Sequence, residues 1–136
     1  MKRTLFICTH NSARSQIAEG ILNHLYPLKY RAFSAGTEKT SVNPLAIKVM
    51  KEIGIDISNQ SSKLLDSFIN EEWDYIITVC DNANETCPVF PGGKNRLHKS
   101  FKDPSSYQGT IEEKTEFFRK IRDEIYIWIK DFFDNN

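Results

Sequence analysis

The sequence predicts an α/β fold in which a parallel β-sheet is covered by helices on both faces. Short β-branched and aromatic segments alternate along the chain with longer segments whose apolar residues recur at helical spacing. The first and third predicted strands are largely apolar, as strands buried on both faces are. Asparagine, proline and glycine stand where the predicted helices begin or end, and they separate the two kinds of segment.

Four segments are predicted to be strands: residues 4–8, 31–35, 75–80 and, more weakly, a stretch around 96–101. The third is the strongest, and Gly36 ends the second. Carboxyl ends of parallel strands meet at one edge of a sheet, where ligands bind in such folds. Cys8 and Cys80 end two of these strands, so we expect both cysteines on the same face.

The predicted helices differ in length and in their caps. Apolar residues at positions 17, 18, 21, 22 and 25 form a helical stripe that stops at Tyr26-Pro27. Asn43-Pro44 begins a second helix that Gly54 closes, and a short third helix covers 64–69. A capping box, 110–113, opens the long last helix. Its predicted buried residues are Phe118, Ile121, Ile125, Trp128, Ile129 and Phe132.

The composition is that of one globular domain, which we place at residues 1–136. The chain has 136 residues, 40% of them hydrophobic, and its 18 basic residues balance 18 acidic ones. Without a basic excess, we expect no binding to nucleic acid or to a membrane surface. Only about five apolar residues follow Met1-Lys2-Arg3, too few for a signal peptide. We therefore expect a cytoplasmic protein.

The segment from Cys8 to Ser15 carries the clearest chemical signal. It connects a predicted strand to a predicted helix, so several of its backbone N–H groups have no partner within the helix. A nest of such groups attracts a dianion and stabilises a thiolate, which is a nucleophile. Arg14 supplies a planar guanidinium able to hold two oxygens of an oxyanion. We predict that Cys8 attacks a tetrahedral oxyanion bound by this loop.

Other residues of the loop support this chemistry. The hydroxyls of Ser12 and Ser15 can bond the thiolate or the loop, and Ser15 is counted among the catalytic residues. Asn11 tolerates a left-handed backbone. An alternative is a buried structural cysteine beside a surface arginine, but the preceding strand and following helix favour the oxyanion loop. The predicted oxyanion-binding residues are Thr9, His10, Asn11, Ser12, Ala13 and Arg14.

Cys80 and Cys87 form a second group of reactive side chains. Three cysteines in a chain without an export signal indicate chemistry rather than a disulfide framework. Cys80 ends a predicted strand, and Cys87 follows a polar stretch, 81–86, that can move or form a weakly held helical turn. This arrangement suits sequential disulfide exchange. Two alternatives stay open: both cysteines are packing residues, or they bind a metal, for which only His98 lies nearby as a further ligand.

Asp103-Pro104 lies in a loop after the weak fourth strand. A carboxylic acid at this place can reach the predicted active-site face and protonate a leaving oxygen. Taken alone, however, an Asp-Pro pair indicates only a turn. Asp103 is therefore a candidate general acid, with a simple turn as the alternative.

Together these residues resemble the thioredoxin-coupled arsenate reductases, which share their fold with the low-molecular-weight protein tyrosine phosphatases. The resemblance spans nearly the whole chain. The loop alone indicates only the shared superfamily, whereas the second and third cysteines separate a reductase from a phosphatase. The matching segments are 8–16, Ala18-Glu19, Ser34-Ala35-Gly36, Asn43-Pro44, 56–59, the pair Cys80 and Cys87, Asp103-Pro104 and 122–125.

The resemblance implies a three-layer sandwich around a four-stranded parallel sheet of order 2-1-3-4, the phosphotyrosine phosphatase I-like fold. It also implies an arsenate reductase without a bound cofactor. In that mechanism Cys8 attacks arsenate held by Arg14 and the loop, while Asp103 helps water to leave. Cys80 then attacks the Cys8 sulfur and releases arsenite. Cys87 next attacks Cys80 and forms a Cys80–Cys87 disulfide with it. Thioredoxin then reduces this disulfide.

The sequence departs from the family pattern at three places. His10 stands where relatives often carry glycine, and we interpret it as pointing to solvent. Ala13 stands where some relatives carry another cysteine. Some members bind potassium through a later carboxylate and residues that match Asn11, Glu19 and Ser34. The later position is Lys63 here, so we predict that its ammonium replaces the ion beside Glu19 and that no metal is bound.

Two further functions remain open from the sequence. One is a tyrosine phosphatase that forms a phosphocysteine at Cys8, and a reductase with residual phosphatase activity is a related case. Such phosphatases tend to place aromatic residues beside the Asp-Pro pair, whereas here Ser105-Ser106 precede Tyr107. That order favours a small inorganic oxyanion. The other function is a non-enzymatic oxyanion-binding or redox-sensing module.

Overall fold

The computed structural model describes residues 1–81 and 87–136. Of the polar stretch 81–86, predicted to move or to form a helical turn, residues 82–86 lie outside this description. The described strands are β1 (Lys2–Ile7), β2 (Tyr30–Ala35), β3 (Tyr75–Thr78) and β4 (Asn95–His98). The described helices are α1 (Arg14–Leu25), α2 (Pro44–Glu52) and α3 (Ile111–Asp134). Two short 3₁₀ turns cover Leu65–Phe68 and Pro104–Ser106.

The four strands form one parallel sheet in the order β2-β1-β3-β4, which confirms the predicted order. β1 lies between β2 and β3, with Ile7 opposite both Ala35 and Thr78. Pairing continues past β3, because the Val79 N–H donates to the Ile7 carbonyl oxygen at 2.9 Å. Cys8 and Cys80 therefore leave adjacent strands at the same edge of the sheet.

The two faces of the sheet are covered differently. On one face, the three helices contribute side chains to a buried cluster that includes strand residues such as Phe6 and Ile77, with α2 packed on α1 and α3. On the other face, Phe68, Trp73 and Phe90 cover the sheet without a long helix. The predicted short helix at 64–69 is a single 3₁₀ turn, too short to cover that face alone. None of the helices formed by residues 1–81 and 87–136 has the length and apolar composition of a membrane span.

The helix termini follow the capping chemistry predicted from the sequence. The Asn43 side chain accepts from the Leu45 N–H at 2.8 Å, and Pro44 takes the first position of α2. The capping box of α3 is formed in both directions. By contrast, α1 begins at Arg14, three residues before its apolar stripe, and no side chain caps it at Ala13. The first turn of α1 therefore belongs to the loop that follows β1.

The buried face of α3 differs from the prediction at its carboxyl end. Phe133 is fully buried, whereas Trp128 and Phe132 are only half-buried, so placing those two inside was wrong. Phe133 lies one helical turn after buried Ile129 and continues the same stripe. Trp128 and Phe132 stack on each other at the edge of the core, with ring centroids 5.3 Å apart.

Replacing Phe133 with alanine is expected to destabilise the protein by about 3–5 kcal/mol, the usual cost of such a cavity. Its ring lies edge-on to Tyr30 at 4.8 Å and to Tyr75 at 5.8 Å between centroids. Phe132→Ala is the matched control and should cost roughly half as much, because part of that ring is already in water. Urea denaturation measures both changes. Equal losses would contradict the assignment of Phe133 to the core.

Candidate active site

The loop between β1 and α1 is held by a close approach of two backbones. A Cβ atom at Gly36 would lie 2.6 Å from the Thr9 carbonyl oxygen and 2.8 Å from that of Cys8. Such distances leave no room for a side chain, so glycine is required just after β2. The Thr37 N–H then donates to the Thr9 oxygen at 2.9 Å and fastens the two segments together.

Asn11 fixes the shape of the loop from inside. Its backbone is left-handed, with φ of 50°, and its side chain is fully buried. The Asn11 amide donates to the Ser15 hydroxyl at 2.8 Å and accepts from the Lys63 backbone N–H at 2.7 Å. Gln16 donates a further bond to the Asn11 side-chain oxygen at 3.0 Å. These bonds offset the cost of the left-handed backbone.

The outer part of the loop leaves donors for a ligand. Among the described residues, no acceptor takes the backbone N–H groups of residues 10–13. They precede the N-terminus of α1, whose dipole favours negative charge. A loop of this kind is suited to an oxyanion.

Cys8 and Arg14 are both buried beside this loop. The Cys8 sulfur lies 2.8 Å from the Ser15 hydroxyl oxygen, and Cys8 is the free cysteine of the described chain. Arg14 is 2% exposed and donates from Nη1 to the Phe101 carbonyl oxygen at 3.2 Å. That bond directs the guanidinium toward the segment that carries Asp103.

Asp103 reaches the same site and also caps a turn. One of its carboxylate oxygens lies 3.7 Å from Arg14 Nη2. The other accepts from the Ser105 N–H at 3.0 Å and from its hydroxyl at 2.6 Å. The two roles predicted for Asp103, general acid and turn residue, are thus compatible. One carboxylate oxygen lies near Arg14, and the other caps the turn.

A cavity of about 640 Å³ opens at this edge of the sheet. Sequence reasoning did not place Asp81, Lys102, Tyr107 or Phe117 in it. Phe117 lies on α3 and Tyr107 just before it, and their rings stack with centroids 4.7 Å apart. The residues that line the cavity are Thr9, His10, Asp81, Lys102, Asp103, Ser106, Tyr107 and Phe117.

Cys80 and Cys87 are joined by a disulfide, with their Cα atoms 5.9 Å apart. Cys80 is fully buried and Cys87 is half-buried. Cys80 and Cys8 belong to the same buried cluster on one face of the sheet. In the described part of the chain, no cluster of three or more His, Cys, Asp or Glu residues forms a possible metal site.

Residues 3–135 match the family described as low molecular weight phosphotyrosine protein phosphatase. The chain belongs to that family. The arsenate reductase of Bacillus subtilis (strain 168) is 46% identical over 127 residues, which are 93% of this chain and 91% of the relative. Arsenate reductase 2 of Staphylococcus saprophyticus is 43% identical over 135 residues, 98% of each chain.

Solved structures show the same relationship. An arsenate reductase in the phosphate binding state superposes with a TM-score of 0.84 at 30% identity, covering 99% of this chain and 98% of that one. A low molecular weight protein tyrosine phosphatase from T. tengcongensis has a TM-score of 0.79 at 23% identity and supports the fold alone. The family resemblance and fold class predicted from the sequence are confirmed.

Two predicted positions have neighbours that the sequence did not indicate. The side chain of His10 is not simply directed to solvent, since its Nδ1 lies 2.7 Å from a carboxylate oxygen of Glu38. Ser12 is half-buried, and its carbonyl oxygen accepts from the Asn43 N–H at 2.9 Å. Both contacts join the loop to the segment between β2 and α2, which is distant in sequence.

Lys63 lies beside Glu19, as the sequence predicts. Its ammonium is 3.8 Å from the Glu19 carboxylate and also donates to the Ser61 carbonyl oxygen. Ser34 donates its hydroxyl to the same Glu19 oxygen at 2.5 Å. Burial raises the pKa of Glu19, while the Ser34 bond and Lys63 lower it. Burial likewise lowers the pKa of Lys63, and Glu19 opposes that shift.

Lys63→Met is expected to lower the melting temperature more at about pH 8 than at about pH 5. Because burial raises the Glu19 pKa, folding disfavours its charged form, and this cost appears as pH rises through that pKa. Lys63 offsets the cost only while Glu19 is ionised. At acidic pH the ammonium has no charged partner, so the Lys63→Met change should hardly alter the melting temperature there. Adding Glu19→Gln should remove the pH dependence; a double variant that keeps it contradicts the pairing.

Proposed function

We propose that this protein reduces arsenate to arsenite through a cascade of Cys8, Cys80 and Cys87. One observation carries the proposal: Cys80 and Cys87 form a disulfide, while Cys8, in the same buried cluster as Cys80, is free. This pairing is the oxidised end state that the cascade leaves. The close relatives named arsenate reductase support the same substrate.

The first step forms a bond between the Cys8 sulfur and arsenic. The loop N–H groups and Arg14 hold the oxyanion, and the Cys8 thiolate attacks the arsenic atom. Asp103 donates a proton to the leaving oxygen, which departs as water. Ser15 holds the sulfur from 2.8 Å away and orients it toward the loop.

The second step transfers two electrons to arsenic. Cys80 attacks the Cys8 sulfur, the sulfur–arsenic bond breaks, and its electron pair leaves with arsenic as arsenite. A Cys8–Cys80 disulfide forms. Cys87 then attacks Cys80, which frees the Cys8 thiolate and forms the Cys80–Cys87 disulfide. The two sulfurs oxidised balance the reduction of arsenic from the five- to the three-valent state.

We further propose that thioredoxin restores the enzyme. A dithiol reductant must attack a sulfur it can reach, and half-buried Cys87 is more accessible than fully buried Cys80. Attack on Cys87 would release Cys80 as a thiol within the core. The chain requires no bound cofactor in this scheme. The expected cytoplasmic location stays a prediction from the sequence.

Single-turnover measurements on the reduced protein test the cascade. Without any reductant, the wild type should release a single equivalent of arsenite. Cys87→Ser should release the same amount and stop as a Cys8–Cys80 disulfide, whereas Cys8→Ser and Cys80→Ser should release none. Ser67→Ala, at an exposed residue of the 3₁₀ turn Leu65–Phe68 outside the cavity, is the control. With thioredoxin, its reductase and NADPH, all three cysteine variants should lose arsenate-dependent turnover, and a Cys80→Ser variant that still turns over contradicts the proposal.

A second candidate function, hydrolysis of aryl phosphates, is favoured by the stacked rings of Tyr107 and Phe117. Both line the cavity with Asp103, so a phenyl group could pack against them. The two serines between Asp103-Pro104 and Tyr107 were expected to favour a small oxyanion. Their support is weaker now, because Tyr107 lines the same cavity as Asp103.

Tyr107→Ala should reduce p-nitrophenyl phosphate hydrolysis by about two- to tenfold, since a lost ring contact costs roughly 0.5–1.5 kcal/mol. Arsenate turnover should change little, because arsenate has no ring. Cys80→Ser and Cys87→Ser are the matched variants, and a phosphatase reaction at Cys8 should not respond to them. Absence of both activities would leave a binding or redox-sensing module.

A further inference from the structure

His10 is the loop residue that the proposed reaction does not use. Its side chain is 45% exposed and lines the active-site cavity together with Asp103. Its place, two residues after Cys8, puts it on the part of the loop whose backbone N–H groups have no acceptor among the described residues. The ring therefore belongs to one of the residues whose N–H groups are available to a ligand.

Glu38 fixes the orientation of this ring. A Glu38 carboxylate oxygen lies 2.7 Å from His10 Nδ1. The Glu38 backbone N–H donates to the Thr9 carbonyl oxygen at 3.1 Å, and the Thr40 hydroxyl donates to that of His10 at 3.0 Å. Both ends of the pair are thus tied to the same loop. With Nδ1 engaged, Nε2 is the ring nitrogen left for a ligand.

We propose that His10 is a second cationic contact for the oxyanion, with Glu38 as the residue that positions it. The inference rests on the proposed function only in that the loop must bind a tetrahedral dianion. In its protonated form, His10 donates from Nε2 to an oxygen of the ligand. Arg14 binds the oxyanion from the buried side, and His10 binds it from the cavity side.

Because the proposed contact requires a protonated ring, it should depend on pH. Glu38 faces the ring from the segment after β2, while Asp81, Lys102 and Asp103 share the cavity from the opposite loops. Histidine is the side chain type whose charge ordinarily changes between about pH 5 and 8. Affinity for a dianion should therefore fall as pH rises through that range.

Sulfate binding to the full chain carrying Cys8→Ser tests this contact. Sulfate stays a dianion across the range, and the serine removes the titration of the thiol. Calorimetry between about pH 5.5 and 8.5 should show affinity falling by about fivefold, the effect of one partly exposed charge contact. Adding His10→Gln should weaken binding at low pH and leave it nearly independent of pH. His10→Asn is measured in parallel, so that a folding defect in one variant does not decide the result.

Two further variants separate positioning from charge. Glu38→Ala should weaken sulfate binding at low pH, where the held imidazolium acts, and have little effect at high pH. Asp103→Asn removes a cavity carboxylate and should raise affinity at every pH without changing the slope. If the His10 variants keep the slope of the Cys8→Ser protein, the proposal is overturned while arsenate reduction stands. If the Cys8→Ser protein binds no sulfate at any pH, the oxyanion site and this proposal both fail.

Discussion

The buried amide of Asn11 is the interaction on which the site depends. A left-handed residue that is not glycine is costly, and a fully buried amide without partners is costly too. Both costs are offset because one side chain bonds Ser15, Gln16 and the backbone of Lys63. The same bonds hold a loop in which the N–H groups of residues 10–13 have no acceptor among the described residues. The shape of the loop is therefore set before any ligand arrives, so little binding energy is lost in ordering it.

Parallel pairing of β1 and β3 makes the cysteine chemistry possible. Because Ile7 lies opposite Thr78, the residues that follow each strand leave the sheet side by side. Cys8 is one residue past β1 and Cys80 two past β3, and both enter one apolar cluster. The fold thus places the two cysteines of the proposed thiol exchange at neighbouring strand ends.

Local chemistry accounts for what could be predicted from the sequence. The capping box of α3, the Asn43 cap and the strand-to-helix turn after Cys8 depend on neighbours in the chain, and all are present. Contacts between distant segments could not be read in this way. Glu38 meets His10 and Phe117 meets Tyr107 only once β2 and α3 are in place. The choice of Phe133 over Phe132 likewise depends on the angle at which α3 packs.

Lys63 supplies a positive charge next to the loop and also supports the loop through its backbone. Glu19 is buried behind the loop and needs a compensating cation. If a dissolved ion supplied this compensation, it would depend on the concentration of that ion. The Lys63 ammonium is part of the chain, so its presence does not depend on the solution. The Lys63 backbone N–H also bonds Asn11, so one residue neutralises the buried carboxylate and holds the loop. Exchange of sodium for potassium is therefore expected to change neither the melting temperature nor turnover appreciably. A large stimulation specific to potassium would show that Glu19 still recruits an ion.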